Sequence, residues 1–269
     1  MKIISHVKFI AISLIIVFTA CKKDNPSDSS INLFSVNDDI KLGMQVKEEI
    51  ESKPNEYPLL SESQYPDAYN FINNMRQKIL DGGEVFYKDK FAWEIKLVHN
   101  DSVLNAFAAP GGYIYIYTGL IKFLDSEHEL AGVLGHEMAH ADRRHSTDQL
   151  TKIYGIQILF DVVLGNNQSV ISDIAASLAT LKFSRNNETE SDNFSVIYLC
   201  PTDYQADGAA AFFQKLQDQG SGGGPPVFLS THPDPGNRIE NIINKRNELN
   251  CTGTGTFDAQ YQAFKNSLP

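Results

Sequence analysis

Residues 126–144 are the tightest constraint in the sequence. Leu130, Ala131, Val133, Leu134 and Met138 recur at helical spacing and share the stretch with His136, Glu137 and His140. A helix that is apolar around most of its circumference has to be wrapped by the rest of the chain. Burying two imidazoles and a carboxylate in it is costly unless each finds a partner. His136 and His140 are four residues apart, so both project from one face, one turn apart. Two imidazoles so placed can grip one metal ion, and zinc accepts imidazole nitrogen while keeping a position open for water. Bound zinc draws the pKa of that water towards neutrality. Glu137, beside the first ligand, is placed to take the water's proton. The pattern predicts metal-assisted hydrolysis of a peptide bond. The competing reading, a chance match on a solvated helix, conflicts with the apolar context. Ser126 and Glu129 have capping-box spacing and mark the expected helix start.

The 269 residues, 42% hydrophobic, suffice for one sizeable domain. Lys2 and Lys8 precede an uncharged apolar run from Phe9 to Ala20. That is the pattern of a signal peptide and too short for a membrane span. Phe18-Thr19-Ala20-Cys21 resembles a bacterial lipobox, with Phe where Leu is usual, which makes Cys21 the expected lipidated N-terminus. A plain signal peptide or an anchor helix is the other reading. The organisation expected is a signal peptide over 1–20, a polar tether over 21–34, a catalytic domain over 35–250 and a C-terminal tail over 251–269. Removing residues 1–20 deletes two lysines and no acids, taking the net charge from −10 to −12. That balance argues against nucleic acid as a partner. Cys200 and Cys251 remain. Export permits a disulfide between them, and two separately buried thiols is the alternative; neither has a Cys or His at ligand spacing.

The spacing predicts helices over about 36–53 and 66–80, the second stopped by Asp81-Gly82-Gly83. Residues 93–97 and 113–117 alternate as half-buried strands, and Pro110-Gly111-Gly112 makes a tight connection into the second. A small antiparallel sheet is the natural reading. Ser146 and Gln149 suggest a cap for a helix to about Leu164. A further helix is expected over about 170–199, and another after Thr202, which stands three residues before Gln205. The run Gly220 to Pro226 cannot hold regular structure. Asp234-Pro235 is expected to open a last helix.

A catalytic zinc wants a third protein ligand. In the H-E-x-x-H-x-x-G-x-x-H pattern it is a downstream His, but Arg143 and Ser146 stand at the Gly and His positions. A Glu on a later helix is the other route. Glu188 and Asp192 are four apart and share a helix face, and Glu190 points elsewhere. The pair could supply one ligand and one carboxylate orienting a ligating histidine.

Four segments in order then resemble peptidase family M48, the group of the heat-shock protease HtpX, the mitochondrial Oma proteases and the CAAX-prenyl endopeptidases. They are Asn105-Ala106-Phe107 through Leu120, Glu129 through His140, Ser184-Arg185-x-x-Glu188-x-x-Ser191-Asp192 with Ser191 where Ala is usual, and Thr231-His232-Pro233 with Arg238-Ile239. The resemblance implies an α+β, mostly helical, zincin-like (gluzincin) single domain. It implies Zn²⁺ bound by His136, His140 and Glu188, with Asp192 supporting a ligating histidine. It places His232 near the metal, either stabilising an oxyanion or sitting on zinc and keeping the enzyme latent. The strand at Asn105, Ala106, Phe107 and Ala108 is where an extended substrate could pair.

His128 and His145 are expected to be solvated, Asp142-Arg143-Arg144 to be an exposed helix end, and the tyrosines 113, 115 and 117 to serve packing. The function expected is a zinc endopeptidase acting on unfolded or misassembled envelope proteins. It would be lipid-anchored in a bacterial envelope, with Lys22 compatible with the outer membrane. The alternative is a non-proteolytic envelope assembly or quality-control factor with a latent zinc site.

Overall fold

The structure, a computed structural model, describes residues 34–218 and 227–269. Cys21, the tether up to residue 33 and the glycine-rich run lie outside the described residues. The Ser35 hydroxyl accepts from the Asp38 N–H while the Asp38 carboxylate accepts from the Ser35 N–H, and this reciprocal cap starts α1 (Val36–Glu51). Pro66 opens α2 (Pro66–Asp81), where its missing N–H goes unneeded.

Three strands follow: β1 (Glu94–Val98), β2 (Ala106–Ala109) and β3 (Tyr113–Tyr117), in the order β1–β3–β2. The alternating segments are strands, but the sheet is mixed rather than antiparallel as expected. β2 pairs antiparallel with β3, while β1 runs parallel to β3 with Ile95 opposite Ile114. Two successive reversals return β3 to the direction of β1, and β3 rather than β2 takes the place beside β1. The second reversal is tight because Gly111 and Gly112 adopt φ of 75° and 85°, open to glycine at little cost. β2 is left at the sheet edge.

Helices then dominate: α3 (Thr118–Phe123), α4 (Glu127–Asp142), α5 (His145–Tyr154), α6 (Ile156–Val163), α7 (Ile171–Leu178), α8 (Arg185–Leu199), α9 (Gly208–Asp218), α10 (Val227–Thr231), α11 (Arg238–Glu248) and α12 (Asp258–Asn266). Every residue of α4 is buried. Sheet, α8 and α9 pack around it, as its all-round apolar character demands. α9 approaches closely because glycine stands on both sides. A Cβ on Gly208 would lie 1.8 Å from the His128 carbonyl oxygen, and one on Gly132 would lie 2.1 Å from the Ala209 nitrogen.

The two long helices expected after α4 are each broken. Gly155, at φ 81°, separates α5 from α6. Residues 181–184 leave the helix so that Ser184 can cap α8 reciprocally with Asn187. The three predicted capping hydroxyls serve other partners. Ser126 meets His128 Nδ1 at 2.7 Å, Ser146 donates to the Ala108 carbonyl at 2.7 Å, and Thr202 donates to the Leu199 carbonyl at 2.6 Å. Asp234 accepts from the Gly236 N–H in a turn, and α11 begins only at Arg238. It is not the last helix: α12 follows, with Tyr261 and Phe264 buried. Cys200 and Cys251 are joined in a disulfide, tying the C-terminal end of α8 to the third residue beyond α11.

The expected exposed helix end is not exposed: Asp142 is buried, and Arg143 and Arg144 are half-buried. Asp142 accepts from the Phe86 N–H at 3.0 Å, the Tyr87 N–H at 2.7 Å and the Tyr198 hydroxyl at 2.6 Å. Arg144, at φ 62°, turns the chain into α5 and pairs with Asp39 of α1. Burial pushes the Asp39 carboxyl up to about 6, and Arg144 draws it only partly back. Between about pH 4 and pH 6 the folded chain therefore keeps a proton here that the unfolded chain has released, so this group's contribution to stability falls as pH rises through that window. Asp39→Asn is expected to remove the slope. Relative to the wild type, its unfolding free energy rises by up to about 3 kcal/mol from pH 4 to pH 7, as denaturant titrations at the two pH values will show.

Candidate metal centre

α4 and α8 cross with His136 and His140 facing Glu188 and Asp192. The first turn of α8 holds Glu188, where the positive end of the helix dipole favours a carboxylate. His232, just beyond α10, reaches the same point. His136, His140, Glu188 and His232 are all buried, and one donor atom from each lies within 4.8 Å of the others. The separations are 3.1 Å between the two Nε2 atoms of α4, 3.5 Å and 3.4 Å from these to the Glu188 oxygens, and 3.2–3.3 Å from His232 Nδ1 to Glu188 Oε1 and His136 Nε2. A tetrahedral zinc with ligands at about 2.0–2.1 Å separates its donors by roughly 3.3–3.4 Å. The donor set therefore fits such an ion in both chemistry and spacing.

The surroundings are built for that load. His136 Nδ1 lies 3.0 Å from Asp192 Oδ1. Arg238 holds Asp192 through Nη2 at 2.7 Å and Nε at 3.1 Å, and its Nη2 lies 3.3 Å from Glu188 Oε2. Its guanidinium carbon sits 3.5 Å from the Phe213 ring centroid, a stacked arrangement suited to arginine. Burial alone would lower the pKa of His136, but the Asp192 and Glu188 carboxylates outweigh it and raise it to about 9. Burial holds His140 well below the usual imidazole range, with Glu188 opposing. Phe183 stacks on His140 with centroids 3.9 Å apart, and Phe228 stacks on His232 at 4.2 Å. These rings cover the two imidazoles.

Glu137 is wholly buried, and neither carboxylate oxygen has a hydrogen-bond partner of normal geometry among the described residues. The Ala108 N–H is directed at it, and His232 Nε2 is 3.5 Å from its Oε1. Burial pushes its pKa up, which the nearby histidines oppose. A buried carboxyl left so poorly partnered costs stability, and such groups cluster where chemistry is done.

Asn105 to Ala108 lie on the edge strand β2 or just before it, and all four are buried. Asn105 Nδ2 donates to the Ala179 carbonyl at 3.1 Å. The Ala108 carbonyl takes the Ser146 hydroxyl, and the Leu104 carbonyl takes the Phe228 N–H at 3.1 Å. The tyrosines of β3 pack, Tyr115 stacking on Phe107.

His128 and His145, expected in solvent, are buried. Arg238 and His145 carry no role in the sequence reading, and each now touches a residue of the metal group or its support. Arg238 stood within a motif; His145 carried only one cue, that it falls five residues after His140 on the far side of a short turn.

Residues 72–246 match the model of Peptidase family M48, well over half of the chain and including every residue of the metal group. The chain is 30% identical over 167 residues to a beta-barrel assembly-enhancing protease of Yersinia pestis, covering 57% of this chain and 34% of that protein. It is 36% identical over 148 residues to the mitochondrial metalloendopeptidase OMA1 of Arabidopsis thaliana, covering 53% and 29%. With OMA1 of Saccharomyces cerevisiae the identity is 28% over 217 residues, covering 72% and 61%. The chain thus spans about a third of the length of the first two relatives. With the metal-ligating group inside the matched span, the chain belongs to peptidase family M48.

Proposed function

We propose that the chain is a zinc-dependent endopeptidase. The observation that carries this reading is Glu137, a buried and almost unpartnered carboxylate set beside a group of donors spaced for one tetrahedral ion. Zinc in that group would activate water and polarise the scissile carbonyl. His136, His140 and Glu188 would hold it, with Asp192 and Arg238 fixing the orientation of His136. Glu137 takes the water's proton and returns it to the leaving amine. An extended peptide pairs with the outer edge of β2, an edge that Ser146 and Phe228 cap in this conformer.

His232 lies between the ligand group and Glu137, with Nδ1 towards the one and Nε2 towards the other. In this reading a water would need the place between them, so His232 there would keep the enzyme at rest. The alternative reading, a non-proteolytic assembly or quality-control factor, draws support only from that resting geometry, since a latent structural zinc needs no base.

The substrates in this reading are unfolded or misassembled proteins of a bacterial envelope. The names of the relatives, an assembly-enhancing protease of β-barrels and a mitochondrial metalloendopeptidase, favour a membrane setting. Cys21 carries the lipid that holds the protein there, and Lys22 suits the outer membrane, facing the periplasm; palmitate labelling lost in Cys21→Ala tests this.

Elemental analysis and β-casein digestion test the activity. One zinc per chain is expected, with faster cleavage by His232→Ala than by the wild type. Unchanged proteolysis and zinc affinity in that variant would remove the role given to His232. No cleavage by either protein would sink the peptidase reading.

A further inference from the structure

The two α4 histidines are supported in different ways. His136 meets a carboxylate directly, Asp192 at 3.0 Å. His140 meets a third imidazole instead: its Nδ1 lies 3.1 Å from His145 Nδ1. His145 Nε2 lies 3.3 Å from Glu190 Oε2, and Arg143 Nε donates to Glu190 Oε1 at 2.8 Å. His145 and His140 are fully buried, and Glu190 is largely so. Nothing in the hydrolytic scheme uses this chain of contacts, yet it ends on a ligand.

The proton positions along it have one consistent solution. His140 must offer the Nε2 lone pair to the ligand group, so its proton sits on Nδ1. That N–H needs an acceptor, and the nearest atom is His145 Nδ1, which must therefore be unprotonated. The proton of His145 then sits on Nε2, where Glu190 accepts it. Arg143 neutralises Glu190 from the other side. Ser191 Oγ, 3.3 Å from His145 Nδ1, places a hydroxyl donor beside the same acceptor nitrogen.

The local fold explains how His145 gets there. Arg144 in the left-handed region folds the chain back beneath the end of α4, and its ion pair with Asp39 holds it in that conformation. Glu190, which helical geometry turns away from Glu188, meets His145 rather than the ligand group.

We propose that His145, held by Glu190 and Arg143, is a positioning residue for the ligand His140, locking its tautomer and ring orientation through an imidazole relay. This rests on the metal-centre reading but not on proteolysis, because the outer partners of metal-bound histidines set affinity.

Long-range ¹⁵N–¹H correlation spectra of the zinc-loaded, full-length protein test it without mutation. His145 is expected as the Nε2–H tautomer; the Nδ1–H tautomer would overturn the proposal. Zinc affinity, measured by competition with a chromophoric chelator, gives the second test. His145→Leu is expected to lose about 10- to 100-fold. His145→Asn keeps an acceptor at the Nδ1 position and should stay within roughly threefold of the wild type on the same scale.

Leu and Asn variants that weaken equally would mean that the side chain only packs, and equal affinity in the Leu variant and the wild type would refute any support of His140. Should His145→Leu fail to fold, Glu190→Gln decides. It preserves shape and is expected to lower affinity several-fold, and no change there refutes the relay. A wild type that binds no zinc would instead overturn the metal centre itself, a separate result.

Discussion

Glu137→Gln is expected to lower peptide hydrolysis by about 10²- to 10⁴-fold, the usual contribution of a general base, while zinc stays bound. The side chain is wholly buried and lacks a partner of normal geometry for either oxygen. Replacing one oxygen by an amide therefore breaks no hydrogen bond that holds the fold. The variant should unfold at the same or a higher temperature than the wild type, because a buried charge of raised pKa has been removed. Casein cleavage, zinc stoichiometry and thermal unfolding measured on one preparation check all three. Cleavage at the wild-type rate would show that another group takes the proton.

Removing Arg238 should damage the frame rather than the chemistry. Its guanidinium is 2% exposed and holds Asp192 through two nitrogens while also meeting Glu188. Arg238→Met keeps the length and apolar contact with Phe213 but strands two buried carboxylates. Breaking a buried ion pair from one side costs about 3–5 kcal/mol. For a domain of this size that is on the order of a 10 °C drop in melting temperature. The metal-free protein should show it most, since bound zinc would itself offset the stranded charge on Glu188. Lys245→Met, which removes an exposed pair with Glu248, is the control and should change stability by less than about 1 kcal/mol.

Much of the site was legible because its residues obey helical spacing. His136 and His140, like Glu188 and Asp192, are four apart on their helices, so each pair faces one way before any tertiary contact forms. What escaped depends on contacts far along the chain. Asp142, Arg143 and Arg144 are consecutive polar residues at a helix end, the usual sign of a solvated terminus. Their partners Tyr198, Glu190 and Asp39 lie 56, 47 and 105 residues away. The hydroxyls of Ser126, Ser146 and Thr202 stand at capping spacing, yet their contacts lie elsewhere. The working caps, at Ser35 and Ser184, pair with Asp38 and Asn187 instead of the Glu or Gln sought. Alternation located the strands and said nothing of direction, since the same pleat serves either sense of pairing.

The bridge between Cys200 and Cys251 acquires a wider meaning beside the Arg238–Asp192 contact. α8 and α11 are stitched together twice, covalently at one end and by charge at the other. Everything from Pro201 to Asn237 is thereby a closed excursion that leaves this two-helix frame and returns to it. The run of glycines and prolines and His232 both belong to that excursion, whereas Glu188, Asp192 and Arg238 belong to the frame. Insertions or deletions in the run would be absorbed inside the excursion, leaving Glu188 and Asp192 in place. Such a layout lets evolution vary what approaches the metal without redesigning what holds it.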